Sequence, residues 1–179
     1  MRWVCYAPLN KDQTNSESEM PGIKVASTAD LPQINQVVEQ AVMAWPLSER
    51  LRRLSLPLLI YTEIDYQYYQ FLVKRDNTNI VAIAAWDPHT LLATAHGNAV
   101  LFHGLYVAPD SQGQGMGWQL VQAVADRARQ LPVDGLLIKA ERVAVSYFEQ
   151  RGLLAVAAAG RQDYPYQFWL NLWPQSEVS

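Results

Sequence analysis

The sequence predicts an α/β (α+β) domain in which one mixed sheet of six to seven strands carries helices on both faces. Short apolar or alternating runs suited to strands recur along the chain, separated by stretches with helical periodicity. One of those runs, Ile80–Trp86, is apolar at every position, as expected of a strand covered on both faces. Three glycines at 113, 115 and 117 stand where a strand gives way to a helix. No internal repeat interrupts this order, and 179 residues suffice for one domain with a continuous core.

Residues 1–21 read as a flexible N-terminal tail, because Asn10–Pro21 is polar and rich in Ser, Glu and Asn. The domain is expected to span 22–174, with a short tail at 175–179. Ile23 and Val25 alternate with polar neighbours and suit a first strand. Thr28 or Asp30 then caps a helix with Pro32 in its first turn, where the missing N–H costs little. Leu31, Ile34, Val38, Ala41, Val42 and Trp45 form its buried stripe. After Pro46, Leu47–Leu56 suits a second amphipathic helix, which carries Arg50, Arg52 and Arg53.

Strands are expected at Tyr66–Val73 and Ile80–Trp86, joined by the turn-rich Asp76–Asn79. Asp87–Asn98 reads as a loop and Ala99–Val107 as the next strand. Beyond the glycines, Leu120, Val121, Val124, Ala125, Ala128 and Leu131 mark a helix that Pro132 closes. Gly135–Lys139 suits a strand, Val143–Arg151 a short helix stopped by Gly152, and Leu153–Ala159 and Tyr166–Trp173 two last strands.

Half of the residues are hydrophobic and 17% are charged, a balance that favours folding over disorder. A net charge of −3 argues against nucleic acid as the main partner. Cys5 is the lone cysteine, so no internal disulfide framework exists. No apolar run approaches the ~20 residues of a membrane helix, and the N-terminus lacks the marks of a signal peptide. The expectation is a cytoplasmic protein with no membrane partner and no metal. The late aromatics Tyr164, Tyr166, Phe168, Trp169 and Trp173 suit strand packing in the main, with a homodimer contact as the alternative.

The chemistry concentrates at Gln112–Gly117. Glycine permits unusual backbone angles and lets main-chain N–H groups come close to a ligand. With a helix dipole behind them, those groups suit a phosphate or pyrophosphate. The spacing is G-x-G-x-G, not the dinucleotide G-x-G-x-x-G, and no Gly-Lys-Ser/Thr follows. On the glycines alone, a tight strand–helix connection explains the turn as well.

The wider pattern is more specific. Leu105-Tyr106-Val107-Ala108-Pro109 followed by Gln112-Gly113-Gln114-Gly115-Met116-Gly117 closely resembles the signature of the GNAT acetyltransferase superfamily. Thr28–Pro32 is similar to the start of that family's first helix. Tyr147–Leu153 resembles its later Phe-Tyr-Glu-Lys-x-Gly-Phe segment. The resemblance spans roughly Ile23 to Leu172 and owes nearly all its specificity to Leu105–Gly117.

The resemblance implies acetyl-CoA as cosubstrate and direct attack by a primary amine of a small molecule or peptide, with no covalent enzyme intermediate. Leu105, Tyr106 and Val107 would bind the pantetheine arm through the main chain, with the Val107 N–H as oxyanion donor. Gln112, Gly113, Gln114, Gly115, Met116 and Gly117 would hold the pyrophosphate, Gln112 by neutral hydrogen bonds where the family often has Arg. Phe148 would pack near the coenzyme.

His103 is one candidate base, being two residues from Leu105 and so expected on the same strand face as Leu105 and Val107. The alternative is a half-buried histidine that satisfies a backbone group. Glu141 is the other candidate base, at a position where the family often has asparagine. Glu63, Asp65 and Tyr66, among Tyr61, Tyr68 and Tyr69, fall where the family binds its amine. The tyrosine that often protonates the thiolate aligns with Phe148. Tyr147 is the hydroxyl nearest in sequence, but its side chain is offset by about 100° on a helix. That departure keeps a second reading open, an acyl-CoA-binding sensor or interaction domain with weak or no catalysis.

Overall fold

The computed structural model describes residues 22–156 and 166–173. Both expected tails, Cys5, Tyr164 and the 157–159 part of an expected strand lie outside the described residues. The order is β1 (Ile23–Val25), α1 (Leu31–Met43), α2 (Glu49–Leu59), β2 (Gln70–Asp76), β3 (Asn79–Thr94), β4 (Gly97–Val107), α3 (Met116–Ala128), β5 (Gly135–Ala140), α4 (Val145–Gln150), β6 (Leu154–Val156) and β7 (Tyr166–Asn171). Seven strands form one mixed sheet in the order β1-β2-β3-β4-β5-β7-β6. The β4–β5 pair is parallel and the other neighbours are antiparallel. No helix among the described residues is long and apolar enough to cross a membrane.

Two cores sandwich the sheet, and strand alternation assigns side chains to them. Phe71, Val73, Ile83 and Ala85 meet Ile34, Val37, Val38, Ala41 and Val42 of α1. Leu72, Ala82, Ala84 and Trp86 point the other way, onto Leu120, Val121, Val124 and Ala128 of α3. The apolar run in β3 therefore serves both layers. Asp30 stands at the N-cap of α1, where its carboxylate makes no cap bond, and Pro32 follows in the first turn. The same carboxylate accepts from the Ser27 N–H at 2.9 Å and pairs with Arg75 at 2.5 Å, tying the start of α1 to β2.

Two expected boundaries are corrected. The strand expected from Tyr66 starts at Gln70. Thr62 donates to Asp65 from both its N–H (2.6 Å) and its hydroxyl (2.8 Å), and this capping box winds Glu63–Gln67 into a 3-10 turn. The expected loop at Asp87–Asn98 is mostly ladder, because β3 continues to Thr94 and β4 begins at Gly97. Asp87 Oδ1 accepts from the N–H groups of His89 (2.8 Å) and Thr90 (3.1 Å). These bonds, with Pro88 unable to donate, lie at an interruption of the ladder, after which Leu92 pairs with Ala99.

Candidate active site

The parallel β4–β5 ladder runs from Ala99↔Gly135 to Phe102↔Ile138 and then stops. Beyond it β4 has no partner on β5, while Gly104–Val107 keep theirs on β3. A cavity of about 400 Å³ occupies the divide. Its walls come from both layers: Ala41, Trp45 and Leu59 on the α1–α2 side, and Gly117, Tyr147 and Phe148 on the α3–α4 side.

On β4 the main chain is turned toward this opening. The Ala108 N–H donates to the Val81 carbonyl at 2.8 Å, so these two form a hydrogen-bonded pair. Val107 opposite Ala82 and Leu105 opposite Ala84 are then non-hydrogen-bonded pairs, with N–H and C=O directed away from β3. Gln112 Nε2 reaches back to the Val107 carbonyl at 3.0 Å.

The glycine turn opens α3. Gly113 (φ +76°) and Gly115 (φ +77°) are left-handed, Gly115 is the N-cap, and a Cβ on either would meet nothing within 4 Å. Their need for glycine is thus conformational, and the main chain there is open to a ligand. Gly117 is different in kind. A Cβ there would lie 3.1 Å from the Tyr147 hydroxyl, 3.5 Å from Leu105 Cδ2 and 3.6 Å from Val107 Cγ2, so its bareness lets α3 close onto β4. Gln114 and Met116 flank Gly115; Met116 borders the cavity and Gln114 Nε2 bonds the Asp110 carbonyl at 3.5 Å.

A β-bulge sits at His103. Trp86 pairs with Phe102 and Ala85 with Gly104, leaving His103 extra in the ladder. Before it, Val100 and Phe102 face the α3 core; after it, Leu105 and Val107 do. His103 lies on the opposite face, which corrects the expectation that it shares one with Leu105 and Val107. There its Nδ1 is 3.3 Å from the Tyr61 hydroxyl and its ring lies 4.3 Å from that of Tyr69. It still borders the cavity, because the cavity passes through the sheet. Burial holds the His103 pKa below the ordinary histidine value, and the Lys139 charge pushes the same way; Asp65 and Asp87 act in the opposite sense.

Across the opening, Glu141 borders the cavity just past β5, with a pKa raised by burial. Phe148 is buried against Phe168, with ring centroids 5.4 Å apart. Tyr147 also borders the cavity, and its buried hydroxyl has no hydrogen-bond partner among the described residues. Burial raises its pKa, opposed by Arg151, whose guanidinium lies over the Tyr147 ring at 5.6 Å and the Trp118 ring at 5.2 Å.

Three expected acceptor residues lie apart from this cavity. Glu63 is exposed. Asp65 holds the Thr62 cap. Tyr66 donates to the Ser27 carbonyl at 2.7 Å, with its pKa pushed up to about 12 chiefly by burial, and lines a separate smaller recess. The residues that meet His103 are Tyr61 and Tyr69, from the same aromatic cluster. Sequence reasoning also passed over Trp45, Leu59 and Lys139. The available signal for Lys139 was a single charge inside an otherwise apolar strand. Among the described residues no group of three or more His, Cys, Asp or Glu side chains gathers to hold a metal ion.

Residues 46–163 match the family model of the acetyltransferase (GNAT) domain, and the chain belongs to the GNAT family. The fold is similar to that of PaiA N-acetyltransferase from Thermoplasma acidophilum in complex with coenzyme A, with a TM-score of 0.64 and 13% identity over 83% of this chain and 98% of that one. It is also similar to the ribosomal-protein-S18-alanine N-acetyltransferase of Escherichia coli (TM-score 0.55, 20% identity, 88% and 97% covered). A GNAT family acetyltransferase from Brucella melitensis in complex with acetyl-CoA aligns with TM-score 0.55 and 16% identity over 85% and 88%. Among proteins of curated function, none matches this sequence.

Proposed function

We propose that the protein transfers the acetyl group of acetyl-CoA to a primary amine by direct attack, within the cytoplasm. The observation that carries this reading is the opening between β4 and β5, where Leu105 and Val107 turn their main-chain polar groups toward the cavity and Gly113 and Gly115 present an open, left-handed turn at the α3 N-terminus. These features fit the coenzyme: exposed N–H groups for its pyrophosphate at 112–117, a strand edge for its pantetheine arm, and apolar Phe148 beside them.

Bound acetyl-CoA would supply a thioester already activated toward amines. The chain's own residues do the rest. The Val107 N–H donates to the carbonyl oxygen as negative charge grows on it. With Nδ1–H donating to the Tyr61 oxygen, His103 keeps its other nitrogen as a base and takes a proton from the amine as the N–C bond forms. Glu141 is the second group able to take that proton. The Tyr147 hydroxyl, held protonated by its raised pKa, gives its proton to the sulfur as the C–S bond breaks.

The test is thiol release from acetyl-CoA across a panel of primary amines, with product mass confirming acetylation. Amine-dependent release that His103→Ala strongly reduces upholds the reading. Tight coenzyme binding without release for any amine would favour a sensor or interaction domain instead, and absence of coenzyme binding would overturn both.

A further inference from the structure

We infer that the acceptor is an amine with an apolar body and no second positive charge. This rests on the acetyl-transfer reading above and concerns the other half of the same cavity. On the α1–α2 side the walls are Ala41, Trp45, Leu59 and Tyr106, mostly apolar surface whose side-chain polar groups are the Trp45 indole N–H and the Tyr106 hydroxyl. Tyr61 and Tyr69 back the reacting position, where they hold His103.

The charges around the cavity limit the acceptor further. On β5, Ile138 and Ala140 pack into the α3-side core, so Lys139 between them leaves the sheet on the acceptor side, where it borders the cavity. Its charge is felt at His103. Arg151 is a second cation on the wall, stacked over Trp118 and Tyr147. Glu141 is the one carboxylate there among the described residues, and it can answer one ammonium, that of the reacting nitrogen. A second ammonium would meet apolar walls or Lys139, and burying an unpaired charge is costly. Glu63, Asp65 and Asp87, the acidic residues of the surrounding segments, do not border the cavity.

Hexylamine and 1,6-diaminohexane differ only in the second cation and make the deciding pair, with 2-phenylethylamine as an aromatic member. Rates with acetyl-CoA and calorimetric binding to the CoA-loaded protein are measured on each. The expected kcat/KM for hexylamine exceeds that for the diamine by roughly tenfold or more. Trp45→Ala should raise KM for hexylamine and 2-phenylethylamine by roughly tenfold while leaving CoA affinity unchanged. Lys139→Met should narrow the gap between monoamine and diamine. Turnover that is equal or faster with the diamine overturns the inference and leaves acetyl transfer standing. Preferential binding of hexylamine without turnover does the reverse, upholding the character of the pocket and overturning the transfer.

Discussion

The Tyr61 hydroxyl meets His103 Nδ1 at 3.3 Å over the bare backbone of Gly104. A Cβ on Gly104 would collide with that hydroxyl and lie 3.0 Å from Tyr106 Cε2. Tyr61 is itself buried against Phe71 and anchored by Asn35, which donates to its carbonyl at 2.8 Å and accepts from its N–H at 2.9 Å. The histidine is therefore oriented from α1 and from the segment after α2, through a position on β4 that tolerates no side chain.

Gly104→Ala should accordingly separate Tyr61 from His103. Overpacking of this kind costs about 1–3 kcal/mol of stability, and if His103 is the base, kcat should fall by about tenfold or more as it loses its orientation. Thermal unfolding alongside kinetics checks this. Unchanged kcat in a folded variant would show that the Tyr61 contact does not serve catalysis.

The pH profile follows from the sign of the His103 shift. If His103 is the base, it acts as the neutral imidazole, and a depressed pKa keeps it neutral down through the ordinary histidine range near ~6.5. The acid limb of kcat/KM should therefore lie below that value, and it should disappear in His103→Ala together with a loss of about 10²-fold or more. Lys139→Met removes a repulsive cation, so it should move the limb upward. A limb that stays in place in both variants would transfer the role to Glu141.

Tyr147→Phe removes a buried hydroxyl that has no partner among the described residues, so stability should hold or rise slightly. If that hydroxyl protonates the leaving sulfur, kcat should drop by about 10²-fold with the KM for acetyl-CoA little changed. Wild-type kcat in Tyr147→Phe would assign the proton to water.

Gly115→Ala puts a side chain on a left-handed N-cap with open space around it. The cost is conformational, about 1–2 kcal/mol, and should appear as reduced stability and weaker acetyl-CoA binding with kcat preserved. Calorimetric titration measures the binding. Full affinity at Gly115→Ala would mean that the turn does not hold the coenzyme.

Gly135→Ala tests packing far from the chemistry. A Cβ there would lie 2.6 Å from Trp169 Cε2 on the partner strand β7. A destabilisation of about 1–3 kcal/mol is expected in denaturant unfolding.

Much of the fold was legible because local rules and tertiary packing agree. The stripes of α1 and α3 are buried, and β3 is apolar throughout because it has a helix on each side. Legibility ended where side chains competed with the backbone. Asp65 turned the start of an expected strand into a capped turn, and the expected loop is a ladder whose interruption is held by Asp87. These differences involve side-chain hydrogen bonds to the backbone, which hydrophobic periodicity does not register.

By itself the sequence determined the family, the sheet and the glycine turn, since the backbone angles at Gly113 and Gly115 are local demands that only a few residue types meet. The tertiary structure alone decided which face carries His103. One extra residue in the β4 ladder reverses the alternation, so the histidine meets Tyr61 and Tyr69 while Leu105 and Val107 turn toward α3. A bulge is set by pairing with another strand, and no spacing within β4 could have announced it.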